Sequence, residues 1–448
     1  MKALLYPIFY PIFFSVFLIP TVTNSQGLST ECPAPEGYRI VKVELQGLRQ
    51  THPTVIKHIL ENHEDSAFSC ASWKLERDRL RDLDIFANVA LTAQTSGDSV
   101  WLTYHFRELP PLLLLPNITE TDQDGLSLGP TVVALNLLGT GSRMDLLAIF
   151  GGTTEYQAEI SGRQIFGHPG EFDVAWTHVN SYNPYDSAKE NSQRFKTEDF
   201  WPLIHSQHFG IIGYAESFYI QLNPDTLTFH DARMPLTLRP GGDWVPRVGA
   251  GFRWDTRDRA YLPRSGFFAE TRLTENGGVL GGPANFWEEL VDMRGYLPLS
   301  TRQGLVADGL YQYRYGVLGQ NLGFYDIFHV GGANTLRGYS ENAFEGQNEC
   351  LLNAEYRFDA LPEKVQSLGP WSLNYGVQLV AGVDAVSLWN GKSALQEEYH
   401  PAYYGGVDLL VPALERIRLE VGSRISRLDL QVDFGLFEKT TIQRYRNR

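Results

Sequence analysis

Trp371-Ser372-Leu373-Asn374-Tyr375-Gly376-Val377-Gln378-Leu379 alternates apolar and polar side chains without a break. Successive side chains of a strand point to opposite faces, so the odd-numbered residues here form an apolar face and the even-numbered ones a polar face. The pattern returns near the end of the chain, where Leu428, Leu430, Val432, Phe434 and Leu436 alternate with Arg427, Asp429, Gln431 and Asp433. Between about Thr131 and Phe437 no convincing helical period appears. Instead, segments of roughly 8–12 residues are separated by Gly, Pro, Asn and Asp, as strands are.

Alternation alone also suits a soluble two-sheet sandwich. Three features favour a transmembrane β-barrel, whose outer face meets lipid and whose lumen is wet. One is an export-type N-terminus. Another is the number of segments, about sixteen from Thr131–Leu137 to Leu428–Phe437, among them Ser206–Ala215, Ser217–Leu222 and Asp225–Thr237. The third is the placing of Trp244, Trp254, Trp287, Trp371 and Trp389 near segment ends, where aromatic girdles sit. An even strand number is what antiparallel closure without free edges requires.

Residues Met1–Ser25 read as an export signal: Lys2 is the basic start, Ala3 to Pro20 is almost wholly apolar, and Thr23-Asn24-Ser25 is a small-residue exit. Pro7, Pro11 and Pro20 interrupt the run, and it barely reaches the ~20 residues a helical span needs. Residues 26–37 read as a linker. From Tyr38 to Pro110 the grammar changes to strand, helix, helix, strand, strand. Ile40, Val41, Val43 and Leu45 make the first strand, and Val55, Ile56, Ile59 and Leu60 the buried face of a helix entered at Thr51 and Pro53. Trp73 to Leu83 is the second helix, and Ala87–Ala93 and Ser99–Phe106 the last two strands. The fold class expected is thus an all-β transmembrane barrel of about 16 antiparallel strands behind a small α+β domain. Residues 111–130 read as a linker, 131–437 as the barrel, and 438–448 as a tail with Lys439, Arg444, Arg446 and Arg448.

A net charge of −14 over 448 residues argues against a nucleic-acid partner, which needs a concentrated basic surface. Of 3 cysteines, Cys32 and Cys70 can pair in an oxidising compartment, leaving Cys350 over. Asn117-Ile118-Thr119 fits a glycosylation acceptor, a short pattern that also arises by chance. His52, His58 and His63 lack the spacing of a metal pair, and no nucleophile elbow occurs. Neither enzyme chemistry nor a cofactor is expected.

One loop carries chemistry. Gly331-Gly332-Ala333-Asn334-Thr335-Leu336-Arg337-Gly338-Tyr339 opens on glycines, holds one arginine, and precedes a strand in which Leu352, Ala354, Tyr356 and Phe358 alternate with Asn353, Glu355 and Arg357. Parity puts Glu355 on the inner wall, and even-numbered Asp384 likewise on the strand begun at Trp371. If the loop folds inward, Arg337 meets Asp384 or Glu355 in a charge-assisted pair. The plain alternative is a surface turn with a solvated cation.

These residues resemble the outer-membrane assembly-factor superfamily of BamA and TamA, and the resemblance covers nearly all of the chain after the export signal. Leu336-Arg337-Gly338-Tyr339 resembles its VRGF-type motif in the sixth outer loop, between the eleventh and twelfth strands by the present count. Asp255-Thr256-Arg257-Asp258 with Pro263 and Gly266 resembles its DTRD…P…G turn, and Asn136-Leu137-Leu138-Gly139-Thr140-Gly141 its N-LGTG turn. Val380–Trp389 resembles the thirteenth strand, whose aspartate, here Asp384, receives the loop arginine. Two departures stand out: Val386 replaces a small residue, and the basic tail follows Phe437 where the family usually ends on an aromatic. Tyr38–Pro110 is similar to a single POTRA domain.

The resemblance implies an outer-membrane barrel with a periplasmic POTRA-like domain. It also implies unfolded outer-membrane proteins as clients, outer-membrane lipid around the wall, and periplasmic accessory proteins at the POTRA-like domain. The work implied is non-covalent insertion at a lateral seam. The alternatives are a polypeptide-secretion pore of the same superfamily, a passive porin, and an adhesin or structural anchor whose long outer loops carry the function.

Overall fold

The computed structural model describes residues 32–433, apart from 122–124, 166–167, 183–188, 204–207, 223–241, 260–261, 333–334, 369–370, 392–398, 412–414 and 425–426. A small α+β domain comes first. It consists of β1 (Arg39–Gln46), α1 (Pro53–Lys57), α2 (Cys70–Asp82), β2 (Phe86–Ser96) and β3 (Ser99–Glu108). Its sheet has the order β1-β3-β2, with β1 parallel and β2 antiparallel to the central strand. Pro53 opens α1, where its missing N–H costs nothing, and the Ser69 side chain caps α2 at the Ser72 amide. Ile40, Ile56, Phe68, Leu80, Leu102 and Tyr104 form the core.

A buried carboxylate ties that core together. Glu76 accepts from the Glu61 and Asn62 amides, at 2.6 Å each, and from the Tyr104 hydroxyl at 2.6 Å. Burial first, and the Glu76 charge second, push the Tyr104 hydroxyl well above its ordinary pKa. Cys32 and Cys70 form a disulfide, fastening the entering chain to the start of α2, and Cys350 remains a half-buried thiol.

The rest of the described residues form, in the main, one sheet of sixteen strands. In chain order they are β4 (Leu112–Thr121), β5 (Gly125–Ala134), β6 (Arg143–Gly151), β7 (Thr154–Ile165), β8 (His168–Tyr182), β9 (Lys189–Pro202), β10 (Phe209–Leu222), β11 (Asp243–Asp255), β12 (Gly266–Gly277), β13 (Asn285–Pro298) and β14 (Gln303–Tyr315). After a long loop that holds the small hairpin β15 (Phe328–Val330) and β16 (Phe344–Gly346), the sheet resumes. Its last strands are β17 (Asn348–Leu368), β18 (Trp371–Trp389), β19 (His400–Val411), β20 (Glu415–Arg424) and β21 (Arg427–Asp433). Each pairs antiparallel with the next, β14 pairs β17, and β4 and β21 stand at the two ends of the order. The small domain lies beside the start of β4, so the connections β5–β6, β11–β12 and β17–β18 fall on the domain side. The long loop falls on the far side.

Side chains sort as in a membrane barrel. Trp176, Phe195, Phe252, Trp254, Tyr375 and Leu379 are exposed on the outer face. Inside, Arg253 pairs with Glu171, Glu198 and Glu270, Arg272 with Glu198, and Arg294 with Asp292. Apolar outside and charged within is the reverse of a water-soluble fold.

Several expected boundaries are corrected. The barrel begins at Leu112 rather than 131, and most of the presumed 111–130 linker is β4 and β5. Thr131–Leu137 is therefore the end of the second barrel strand, which stops at Ala134, and the start of the turn after it. Pro116, Gly129 and Pro130 read as breakers, yet all three lie within strands. Asn117 consequently sits in the barrel wall, not on a surface loop suited to a glycan. Strand β9 was missed because its outward positions include Gln193, Thr197 and Asp199, which blur the alternation. Ser206–Ala215 and Ser217–Leu222 fall within a single strand, β10. The expected strand Asp225–Thr237, the expected export signal 1–25 and the tail 438–448 lie outside the described residues. The errors cancel, and the long loop still separates the eleventh and twelfth strands.

Candidate functional site

The far-side loop folds back into the lumen because its backbone can turn where a side chain would forbid it. Gly331, Gly332 and Gly338 have φ of 141°, 83° and 84°, a region L-residues rarely adopt. Thr335 Oγ1 accepts from the Gly331 amide at 2.8 Å, and the Gly332 amide donates to the Tyr339 carbonyl at 3.0 Å. Leu336 is fully buried against Val330, Val386 and Ala402. Val386, the departure noted above, thus supplies apolar packing under the loop. Tyr339 donates to the Pro401 carbonyl at 3.3 Å.

Gly338 makes the closest approach. A Cβ there would lie 2.6 Å from the Ser423 nitrogen, and one on Gly422 would lie 2.3 Å from the Gly338 nitrogen. Loop backbone rests directly on β20 backbone, the strand next to the last.

Arg337 is the centre. Its Nε and Nη2 grip the two oxygens of Asp384 on β18 at 2.7 Å each, a bidentate fork, and its amide reaches the same carboxylate at 3.3 Å. Nη1 donates to Glu420 on β20 at 3.0 Å and lies 3.8 Å from Glu355 on β17. The guanidinium stacks over the Tyr404 ring on β19. Tyr404 in turn donates to Glu355 at 2.7 Å, and Asn353 bonds Asp384 at 2.7 Å and the Tyr404 oxygen at 2.9 Å. Arg357 and Arg416 also flank Glu355. Four consecutive strands, β17 to β20, are therefore clamped by one side chain. A cation this buried persists only because it is multiply paired.

Of the residues expected at this site, Leu336, Arg337, Gly338, Tyr339, Asp384 and Glu355 come together. Asp384 is the main partner and Glu355 a more distant one. Sequence reasoning missed Glu420, Tyr404, Asn353 and Gly422. The signal existed: Ile417, Leu419 and Val421 alternate with Arg416, Arg418 and Glu420, which assigns Glu420 to the lumen.

The second predicted group, on the domain side, is far from the first and shapes a turn. Asp255 takes a bidentate pair from Arg257, at 2.9 and 2.6 Å, and also its amide at 3.0 Å. Thr256 Oγ1 bonds the Phe267 backbone, and Asp258 accepts from the Arg264 and Ser265 amides after Pro263. Gly266, at φ 105°, passes so near the Thr256 carbonyl that a Cβ would lie 2.3 Å away. Charges cancel locally, and the group forms a rigid corner.

The third motif is a joint. Asn136, in the left-handed region, donates to Thr51 Oγ1 at 2.7 Å and accepts from the Gly141 amide at 2.8 Å. Thr51 hands its own amide and hydroxyl to Glu108, which also accepts from Arg49 and Gln50. His52 donates its amide to the Gly139 carbonyl at 2.9 Å. The small domain is thereby bolted to the turn after the second barrel strand. A lighter contact joins Asn374 of β18 to the Ala87 carbonyl of β2 at 3.4 Å.

Residues 136–425 match the Omp85 superfamily domain. A curated relative, the outer membrane protein assembly factor BamA of Nitratidesulfovibrio vulgaris, is 22% identical over 362 residues. The alignment takes in 75% of this chain and 44% of that protein, so the chain spans under half the length of the relative. Among solved structures, BamA from Haemophilus ducreyi lacking POTRA domains 1–3 is similar at a TM-score of 0.56 and 14% identity, covering 88% of this chain and 83% of that one. CdiB from Escherichia coli is similar at 0.58 and 12% identity, covering 89% and 75%. CdiB from Acinetobacter baumannii is similar at 0.53 and 14% identity, covering 89% and 71%. At these identities the likeness is one of fold.

Proposed function

The chain belongs to the Omp85 superfamily, and from that premise we propose that it is an outer-membrane assembly factor that inserts client β-strands at the seam between β4 and β21. In this reading the barrel sits in the outer membrane and the small domain is a periplasmic, POTRA-like module. Unfolded outer-membrane proteins are the clients, and accessory proteins dock on that module.

The physical argument rests on edges. Unpaired backbone N–H and C=O groups facing hydrocarbon cost several kcal/mol each, so an edge strand in lipid attracts any strand that can pair with it. Strand addition gives affinity through the main chain and so tolerates many client sequences. The observation that carries the reading is the clamp beside that seam: Arg337 holds β18 and β20 together one strand from β21. The wall next to the seam is thus braced while the seam itself works. No cofactor or bond chemistry is required.

The test is site-specific crosslinking of a stalled client barrel in membranes. Crosslinks from Leu112 and Leu114 on the β4 edge support insertion. Crosslinks confined to the lumen wall at Glu355 and Asp384 would instead establish a secretion pore. Steady conductance without client crosslinks would establish a porin.

A further inference from the structure

The first hairpin carries a proline in each of its strands, Pro116 in β4 and Pro130 in β5. The Leu135 amide donates to the Pro111 carbonyl at 2.8 Å, which makes 111/135 a hydrogen-bonded pair. Hydrogen-bonded and open pairs alternate along an antiparallel ladder. Register therefore makes Pro116 opposite Pro130 an open pair between β4 and β5. Each proline then turns its nitrogen away from the other strand of the hairpin. Pro116 faces the β21 seam and Pro130 faces β6.

The β5–β6 ladder shows the consequence. Leu128 pairs with Phe150 and Thr131 with Leu147, while Gly129 and Pro130 have no ladder partner. At Gly129 the strands approach so closely that a Cβ would lie 1.7 Å from the Ala148 oxygen. By contrast the β4–β5 register runs unbroken from Leu112/Ala134 to Thr121/Gly125. Prolines cannot donate to a ladder, so within sheets they favour edges, strand starts and bulges. Here one marks the true edge, and the other gives β5 an edge-like border inside the sheet.

We propose that the moving part of the seam is the β4–β5 hairpin as a two-strand leaf, hinged on β6 at the Gly129-Pro130 gap. The proposal rests on the insertion reading and specifies which element opens. A leaf keeps its internal ladder while both borders part, so it presents a paired, preformed template to a client strand. Peeling β4 alone would break the one ladder that shapes it among the described residues.

Residue-resolved hydrogen exchange on the full chain in lipid nanodiscs tests this without any client. The leaf predicts that the β6-facing amides of Leu128 and Val132 exchange fast. It also predicts that the internal amides of Leu113, Leu115, Thr131 and Val133 stay protected. The reverse pattern means that β4 peels alone and overturns the proposal, as do Leu128 and Val132 amides as protected as those of β8. A Pro130→Val variant, which restores one ladder donor, should slow exchange at Leu128 and Val132 about fivefold.

A second experiment uses disulfide pins. Oxidised Leu128→Cys/Phe150→Cys should abolish client insertion and recover it on reduction, whereas Leu114→Cys/Val132→Cys should leave insertion intact. The opposite result rejects the leaf. If the parent protein inserts no client, the proposed function fails, and the exchange pattern still decides the leaf.

Discussion

The wall from β17 to β20 and the wall from β4 to β6 are written in the same alternating grammar, yet they are built to opposite ends. The first carries Asp384, Glu355, Tyr404 and Glu420 on its inner face and is clamped by an arginine from the loop. The second carries Pro116, Gly129 and Pro130, and its β5–β6 ladder has no partners at Gly129 and Pro130. Only β21 lies between β20 and the seam. A barrel can thus be braced on one side of its seam and loose on the other, and the difference is made by a handful of residues.

Removing the brace should break the comparison most severely. Arg337→Ala takes the guanidinium away from Asp384 and Glu420, and breaking a buried pair costs about 3–5 kcal/mol. The barrel is expected to reach the membrane but to lose client insertion, with the 316–347 loop becoming sensitive to protease. Full insertion by this variant would reject the bracing role. Arg337→Lys should rescue little, because an ammonium cannot reproduce the fork on Asp384.

Gly338→Ala comes next. It forces a left-handed residue onto β20 backbone, and such strain costs about 1–3 kcal/mol. Partial release of the loop, read by the same proteolysis, is expected; a loop as resistant as the parent's would show that the contact yields cheaply.

The joint tests whether looseness is confined to the leaf. Asn136→Ala strands the Gly141 amide and removes the donor to Thr51 Oγ1, a loss of about 1–2 kcal/mol. Spin-label distances between the small domain and the barrel should broaden, and an unchanged distribution would mean that the remaining contacts suffice. Smallest is Tyr404→Phe, which keeps the ring over Arg337 and deletes the bond to Glu355 and the one from Asn353, whose amide still holds Asp384, for a loss of about 1 kcal/mol. A modest fall in denaturation midpoint with insertion retained is expected.

Fold class was readable because period-two alternation survives wherever one face meets lipid, as it does from Trp371 to Leu379. It failed where outward positions are polar, as at Gln193 and Asp199, and where prolines sit inside strands. Both failures have a physical source: outward polarity removes the contrast that alternation depends on, and an edge tolerates proline where a central strand does not. Parity was enough to place Asp384 and Glu355 on the inner wall. It gave no angular position around the barrel, so the reach of Arg337 to Glu420, two strands beyond Asp384, required the three-dimensional arrangement. The Asn136 turn resembled a family motif but offered no hint that its asparagine fastens a second domain.

Strand β18 touches both worlds. Asp384 near one end grips the arginine, and Asn374 near the other contacts β2 of the small domain. At about 3.3 Å per residue these points lie roughly 33 Å apart on one uninterrupted extended backbone. That makes β18 a stiff pushrod. Whatever docks on the domain and shifts it leans on the same rod that seats the loop, and by thermodynamic reciprocity the seating of the loop must alter the grip on that cargo by an equal factor.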